Sequence, residues 1–233
     1  MDLKRIALIT GANRGIGFEV SRQLGAMGHA VLLGCRNPAR GRAAQETLRA
    51  EGIEATFIEL DMADPSSIEA AAAQVEQGYP HLDVLVNNAG IHYDTWQRAC
   101  NADMAIVQEA ITANTLGPWR LSIALLPVLR RSQAARIVNV SSGGGSIASM
   151  SGKTPAYSVS KAALNAVTRM LARDLEDEGI LVNAVCPGWT QTEMGDWGGR
   201  PVADGAKGVV WAATLDSSGP SGEFFQDMRP VPW

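Results

Sequence analysis

The chain has 233 residues, of which 46% are hydrophobic and 19% charged, and its formal net charge is -4 at pH 7. This length and composition predict one globular domain, spanning residues 1–233, with a large apolar core. The acidic balance, without a run of lysine or arginine, argues against nucleic acid or an anionic membrane as the main partner. A small molecule is the expected partner.

The cysteines and the N-terminal segment indicate the compartment in which the protein is expected. The three cysteines, Cys35, Cys100 and Cys186, lie far apart with no Cys-x-x-Cys pair, so neither a disulfide framework nor a metal site is predicted. The chain enters an apolar strand within its first residues, and no apolar run approaches the roughly 20 residues needed to cross a bilayer. A cytoplasmic protein without a membrane segment is expected.

Short apolar runs alternate along the chain with segments of helical composition. The runs, rich in Ile, Leu and Val, lie at 6–9, 30–33, 55–60, 84–86, 137–140 and 181–185. Candidate helices lie at 16–27, 39–51, 66–77, 112–131 and 155–178, with further candidates at 95–110 and 203–214. Near-continuous apolar strands are typical of a parallel sheet covered on both faces. The alternation therefore predicts an α/β fold with a doubly wound parallel sheet.

Helix punctuation supports several of these boundaries. Asp64-Pro65 and Thr154-Pro155 each provide a capping residue and a first-turn proline, while Gly52 and Gly179 stand where helices should end. Gly117-Pro118 conflicts with an unbroken helix over 112–131. We expect a kink there, or a helix that starts only near the proline.

A glycine-rich turn follows the first strand and opens a helix, in the segment Thr10-Gly11-Ala12-Asn13-Arg14-Gly15-Ile16-Gly17. Such a backbone can present free N–H groups to a pyrophosphate, which favours a dinucleotide ligand. The spacing Gly-x-x-x-Gly-x-Gly differs from the standard Gly-x-Gly-x-x-Gly fingerprint, and glycines in a turn can also serve conformation alone.

The end of the second strand bears on which dinucleotide would bind. A carboxylate there would bond a ribose 2′-hydroxyl, whereas a 2′-phosphate requires cations. The sequence reads Gly34-Cys35-Arg36, without a carboxylate. Arg14, Arg36 and Arg40 are predicted to form a phosphate clamp, the alternative being that they are solvated surface side chains.

Tyr157 and Lys161 lie four residues apart in a predicted helix and therefore share one face. An ammonium at ~5 Å in an effective dielectric of ~20 would favour the phenolate by roughly 3 kcal/mol, or about two pKa units. That shift would bring a phenol near working pH as a proton donor or acceptor. The alternative is that Tyr157 packs in the core and Lys161 is solvated.

These motifs, with Asn87-Asn88-Ala89-Gly90 and the segment from Pro187-Gly188 to Thr192, occur in an order that resembles the classical short-chain dehydrogenase/reductase family over essentially the whole chain. The chain is most similar to the NADPH-dependent carbonyl reductase branch. The resemblance implies a single-domain Rossmann-type sheet with strand order 3-2-1-4-5-6-7, NADP(H) as cofactor, and reduction of a ketone or aldehyde to an alcohol. Alcohol oxidation in the reverse direction and non-catalytic dinucleotide sensing remain alternatives.

The resemblance also implies catalytic roles for Asn114, Ser142, Tyr157 and Lys161. Tyr157 would give a proton to the substrate oxygen, and Ser142 would bond that oxygen. Lys161 would lower the tyrosine pKa, and Asn114 would hold a water that links Lys161 to solvent. Ser142 and Tyr157 are fifteen positions apart, a longer spacing than in many members, so Ser141 or Ser146 could replace Ser142. For Asn114 a helix cap is the alternative.

The predicted cofactor contacts combine the glycine turn, the arginines and the positions implied by the resemblance. They are Gly11, Asn13, Arg14, Gly15, Ile16, Gly17, Arg36, Arg40, Asp61, Met62, Asn87, Ala89, Gly90, Tyr157, Lys161, Pro187, Gly188 and Thr192.

Apolar and aromatic side chains on loops that should follow the strand ends indicate the substrate side. They are His92, Tyr93, Trp96, Trp189, Met194 and Trp197. Ligands bind at this edge of open α/β sheets, so an apolar or aromatic carbonyl compound is predicted, although such side chains also serve packing or subunit contacts. By resemblance, association into a homodimer or homotetramer would use the helices 112–131 and 155–178.

Overall fold

The computed structural model describes residues 4–195 and 199–233. Within them, seven parallel strands and one antiparallel strand form a single sheet in the order β3-β2-β1-β4-β5-β6-β7-β8. The strands are β1 Ile6–Thr10, β2 Ala30–Cys35, β3 Ala55–Glu59, β4 Val84–Asn87, β5 Arg136–Val140, β6 Leu181–Cys186, β7 Phe224–Gln226 and β8 Arg229–Pro230. The predicted parallel order of the first seven strands is confirmed.

Helices cover both faces of the sheet. They are α1 Gly15–Ala26, α2 Pro38–Ala50, α3 Pro65–Gly78, α4 Met104–Ile111, α5 Gly117–Leu129, α6 Pro155–Asp174 and α7 Val202–Ala213. Helices α1, α2 and α7 supply one apolar core, and α3, α5 and α6 supply the other. Alternate residues of β1 point to opposite cores, Leu8 to one and Ile9 to the other, which explains why its sequence reads as an uninterrupted apolar run.

Within the predicted helix 112–131, α5 begins at Gly117, beside the proline as expected, but the residues before it are also helical. Helix α4 continues through a π-helical turn, Thr112–Leu116, directly into α5, so one long helical segment runs from Met104 to Leu129. Pro118 lies just after the π turn, and such turns are where a helical segment accommodates a proline that lacks its N–H. Gly117 is required because a Cβ there would lie 2.3 Å from the Met62 carbonyl oxygen.

The candidate helix at 95–110 is correct only over its second half. Before Met104 the chain forms loops and one short 3-10 turn, Ala99–Asn101. Asp103 caps α4 by accepting a hydrogen bond from the Ala105 N–H, which explains why the helix begins there.

The end of the predicted helix 155–178 also differs, because α6 stops at Asp174 and a 3-10 turn, Glu176–Glu178, follows. Gly179 then takes the left-handed conformation at φ 69° that glycine adopts readily. Strand β8, which pairs antiparallel with β7, was not predicted. No helix among the described residues is long and apolar enough to span a membrane.

Candidate active site

A cavity of about 440 Å³ lies at the carboxyl edge of the sheet. Its walls come from the loops that follow β1 to β6, including Gly11, Arg36, Asp61, Gly90 and Pro187. Open α/β sheets bind ligands at this edge, where the strand order reverses on either side of β1.

The glycine turn after β1 forms one wall of the cavity. Gly11 and Gly15 have φ values of 65° and 54°, which favour glycine. The side chain of Arg14, which precedes α1, makes no capping hydrogen bond, and no acidic residue lies in the first turn of α1, so its N–H groups suit an anionic ligand. Gly17, a predicted cofactor contact, does not line the cavity, and a Cβ there would lie 2.5 Å from the Gly11 carbonyl oxygen. Its role is close packing inside the turn.

The two asparagines after β4 have separate roles. Asn88 lines the cavity, and its side-chain amide donates to the Thr10 carbonyl oxygen at 2.8 Å, which ties the glycine turn to the loop after β4. Asn87 was predicted to contact the cofactor, but it does not line the cavity. Its buried amide instead donates to Asn139 Oδ1 at 2.8 Å and to Ser122 Oγ at 3.2 Å. Asn87 therefore joins β4 to β5 and α5.

The three arginines of the predicted clamp all line the cavity. Arg14 forms an ion pair with Glu193, and the Arg36 guanidinium lies 3.9 Å from the Asp61 carboxylate. The arginine side of the cavity is therefore partly neutralised by two carboxylates, of which Glu193 was not predicted from the sequence.

Most of the other predicted cofactor residues lie in the same wall. These are Asn13, Ile16, Met62, Ala89, Tyr157, Lys161 and Thr192. The wall also contains residues that the sequence argument missed, although nearly all of them flank predicted positions: Cys35, Asn37, Leu60, Ala63, Ile91, Ala113, Val140, Gln191 and Val202. Gly188 lies instead in an adjoining cavity.

The adjoining cavity has a volume of about 330 Å³ and shares Tyr157, Ser141 and Thr192 with the first. Of the predicted substrate residues, it contains Tyr93, Trp189 and Met194. The Tyr93 ring packs edge-on against Tyr157 at 5.2 Å between centroids and against Trp189 at 6.0 Å. Aromatic rings thus form a continuous wall beside the Tyr157 phenol.

Two predicted substrate residues do not line either cavity. His92 Nε2 lies 2.7 Å from Glu109 Oε2, and Trp96 is 66% exposed. The loop after β4 turns at His92, which has a φ of 58°, so the side chains on either side of that turn diverge. Trp197 lies outside the described residues.

Tyr157 and Lys161 are both buried in the first turns of α6. The Lys161 ammonium donates to the Val140 carbonyl oxygen at 2.7 Å and lies 5.7 Å from the centroid of the Tyr157 ring. Burial lowers the pKa of Lys161 to about 8.

Burial also raises the pKa of Tyr157, and a hydrogen bond with the Ser142 side chain opposes that rise only in part. The net shift of the phenol pKa is therefore opposite in direction to the lowering expected from Lys161. Burial of the phenol is the largest cause of the shift, and the Lys161 ammonium is bonded to the Val140 carbonyl oxygen.

The three serine candidates after β5 are distinguished by position. Ser142 lines the cavity that contains Tyr93, and its Oγ accepts from the Gly144 N–H at 3.1 Å. Ser141 lines both cavities, and its buried hydroxyl has no hydrogen-bond partner among the described residues. Ser146 lines neither. Ser142 is favoured, because it is the one of the three serines whose side chain lowers the pKa of the Tyr157 phenol.

Asn114 lies in the π-helical turn between α4 and α5 and is fully buried, so it is not a helix cap. Its Oδ1 accepts from the Ile91 N–H at 2.8 Å, and its Nδ2 donates to the Ile91 carbonyl oxygen and to Ser160 Oγ, both at 3.0 Å. Asn114 therefore fixes the loop after β4 against α6. Asn114 Oδ1 and Lys161 Nζ both lie 3.6 Å from the position of a Cβ at Gly90.

Comparison with known proteins agrees with this geometry. The short chain dehydrogenase family model matches residues 5–197. Carbonyl reductase [NADPH] 3 of Mus musculus is 34% identical over 98% of both chains, and (+)-neomenthol dehydrogenase of Arabidopsis thaliana is 34% identical over 96% of both. The NADPH-bound carbonyl reductase from chicken fatty liver superposes over the whole of both chains with a TM-score of 0.89 at 31% identity. The chain belongs to the short-chain dehydrogenase family, and its resemblance to the carbonyl reductase branch is confirmed.

Proposed function

We propose that this chain is a single-domain, NADPH-dependent carbonyl reductase that converts a ketone or aldehyde to an alcohol. The observation that carries the proposal is the position of Tyr157, which lines both cavities, with Ser142 in the wall of the smaller one. Relatives named as NADPH carbonyl reductases, at about one third identity over nearly the full chain, support the same reaction.

The larger cavity suits an NADP(H) molecule. An uncapped helix start would hold the pyrophosphate, and Arg14, Arg36 and Arg40 would hold a 2′-phosphate. Pro187 and Thr192 lie toward the shared boundary of the cavities and would contact the nicotinamide end. NADPH, when bound, supplies the hydride.

Tyr157 would act as the general acid of the reduction. The phenol is protonated at neutral pH, but burial raises its pKa, so transfer of its proton to a substrate oxygen requires neighbouring groups that stabilise the phenolate. Ser142 would hydrogen-bond the same oxygen and stabilise negative charge that develops on it. Lys161, with a pKa of about 8, remains largely charged at pH 7 and would favour the phenolate left after transfer. Asn114 would hold a water through which the proton is resupplied.

The substrate would lie in the smaller cavity beside Tyr157. Tyr93, Trp189 and Met194 provide an apolar and aromatic wall there, which suits an apolar or aromatic carbonyl compound. Association through α5 and α6 stays a prediction; exposed apolar side chains on these helices, such as Ile123 and Met170, are compatible with it.

The variant Tyr157→Phe tests the proposal, with Tyr93→Phe as the matched control on the neighbouring ring. Tyr157→Phe should bind NADPH with nearly unchanged affinity, measured by fluorescence titration, and lose turnover by about 100-fold or more, measured by NADPH oxidation with a panel of ketones, aldehydes and quinones. Tyr93→Phe should retain turnover. Reduction by Tyr157→Phe at the wild-type rate would refute the role of the phenol.

A further inference from the structure

Helix α6, which carries Tyr157 and Lys161, begins without a cap from its own sequence. Thr154 precedes the helix in a left-handed conformation, with φ 47°, and makes no capping hydrogen bond to it. Pro155 has no N–H, and the Ser158 N–H is bonded to the Thr154 carbonyl oxygen at 2.8 Å. The N–H groups of Ala156 and Tyr157 are the two that require an acceptor from elsewhere.

Asp94, more than sixty residues earlier in the chain, provides that acceptor. Its Oδ2 accepts from the Ala156 N–H at 3.0 Å and its Oδ1 from the Tyr157 N–H at 3.1 Å. The Asp94 side chain is fully buried, and Gln97 Nε2 also donates to it at 3.1 Å. The carboxylate is stabilised by three N–H donors and by the positive end of the helix dipole, which offsets the cost of its burial.

The position of Asp94 links the two parts of the proposed reaction site. It directly follows Tyr93, whose ring lies in the substrate-side cavity and packs edge-on against Tyr157 at 5.2 Å. One carboxylate therefore holds both the backbone of Tyr157 and the loop that presents Tyr93. A shift at Asp94 would move the phenol and the adjacent wall together.

We infer that Asp94 is a positioning residue for proton transfer, because it clamps the first turn of α6 and so keeps the Tyr157 phenol beside Ser142 at the boundary of the two cavities. Asp94 itself lines neither cavity, so it acts through Tyr157 and not by touching a ligand. The inference rests on the proposed role of Tyr157 as general acid.

The test compares Asp94→Asn with Asp83→Asn. The amide of Asp94→Asn keeps the size of the side chain but turns an N–H donor toward one of the two helix N–H groups. Asp83 is a matched control because it is also buried, and its Oδ2 accepts from the Ile6 N–H at 2.7 Å at the opposite edge of the sheet. For each variant, kcat and the KM for NADPH are measured, along with hydrogen exchange of a peptide that covers the start of α6.

Asp94→Asn should reduce kcat by roughly 10- to 100-fold, leave the KM for NADPH within about twofold, and speed exchange at Ala156 and Tyr157. Asp83→Asn should change neither kcat nor this exchange. In a Tyr157→Phe background, Asp94→Asn should add little further loss, because both substitutions act on the same step.

Three results would overturn the inference. Wild-type kcat in Asp94→Asn with faster exchange would show that the clamp is structural only, while the proposed function would stand. An equal loss of kcat in Asp83→Asn would attribute the effect to general destabilisation. A wild-type protein that reduces no carbonyl compound would refute the proposed function and the positioning role with it. Should Asp94→Asn fail to fold, Asp94→Glu, which keeps the charge but moves the carboxylate by one methylene, should lower kcat several-fold, and an unchanged kcat would count against the role.

Discussion

The side-chain ammonium of Lys161 donates a hydrogen bond to the carbonyl oxygen of Val140 at 2.7 Å. Val140 is the last residue of β5, so this bond ties α6 to the carboxyl edge of the sheet directly beneath the larger cavity. The bond offsets only part of the cost of burial, since the pKa of Lys161 is lowered to about 8. Burial of the Lys161 ammonium therefore lowers the free energy of unfolding, although it places the ammonium beside Tyr157.

Replacing Lys161 should stabilise the fold. The lysine pKa is about 8 in the folded chain and near ~10.4 when unfolded, so the unfolded state binds more protons between those values and wild-type stability rises with pH across that window. Lys161→Met should add roughly 2 kcal/mol to the free energy of unfolding at pH 7, after allowance for the lost bond to Val140. Urea unfolding at pH 7 and pH 9.5 checks this, and a gain that does not shrink at the higher pH would contradict it.

Removal of Arg36 should change cofactor preference. Arg36 lines the larger cavity, whereas Arg42 lies over the Phe57 ring at 5.9 Å and outside that cavity. Arg36→Ala should raise the KM for NADPH about tenfold or more, with little change for NADH, because a charge-assisted bond to a 2′-phosphate contributes about 1.5–3 kcal/mol. Arg42→Ala should leave the NADPH to NADH ratio unchanged. Equal ratios in both variants would argue against the clamp.

Glu193 competes for one arginine of the clamp. Its ion pair with Arg14 is about half exposed on both sides, so breaking it costs at most about 1 kcal/mol. Glu193→Gln should free Arg14 for a phosphate and lower the Kd for NADPH by roughly two- to fivefold, in a titration at low ionic strength. Glu176→Gln, which breaks the exposed pair with Arg173, is the control and should have no effect. Weaker NADPH binding in Glu193→Gln would mean that the pair shapes the cavity.

The contact between Gly117 and the loop after β3 should be intolerant of a methyl group. A Cβ at Gly117 would lie 2.3 Å from the carbonyl oxygen of Met62, which lines the larger cavity. Gly117→Ala should destabilise the chain by about 1–3 kcal/mol and weaken NADPH binding. Gly78→Ala is the control: nothing lies within 4 Å of its Cβ position at the end of α3, so it should be neutral or slightly stabilising. The melting temperatures of Gly117→Ala and Gly78→Ala are compared, and equal values would contradict the predicted clash at Gly117.

Much of the fold could be predicted from sequence patterns among residues close together in the chain. Apolar runs, glycine stops and first-turn prolines depend on residues close together in the chain, so they predicted the strands β1 to β6 and the start of α6 correctly. The continuation of α4 into α5 was missed because it depends on a π turn whose centre, Asn114, is held by Ile91 and Ser160 from distant segments. The sequence around Gly117-Pro118 gives no indication of those hydrogen bonds.

The sequence by itself determined the chemistry available at the site: a glycine turn, three arginines, a tyrosine and a lysine one helical turn apart. Only the tertiary structure decided how these groups are tuned. Burial raises the pKa of Tyr157. The Lys161 ammonium donates a hydrogen bond to the Val140 carbonyl oxygen, and the Asp94 carboxylate caps the start of α6. Desolvation and long-range hydrogen bonds depend on which segments meet in space, and spacing along the chain does not encode them.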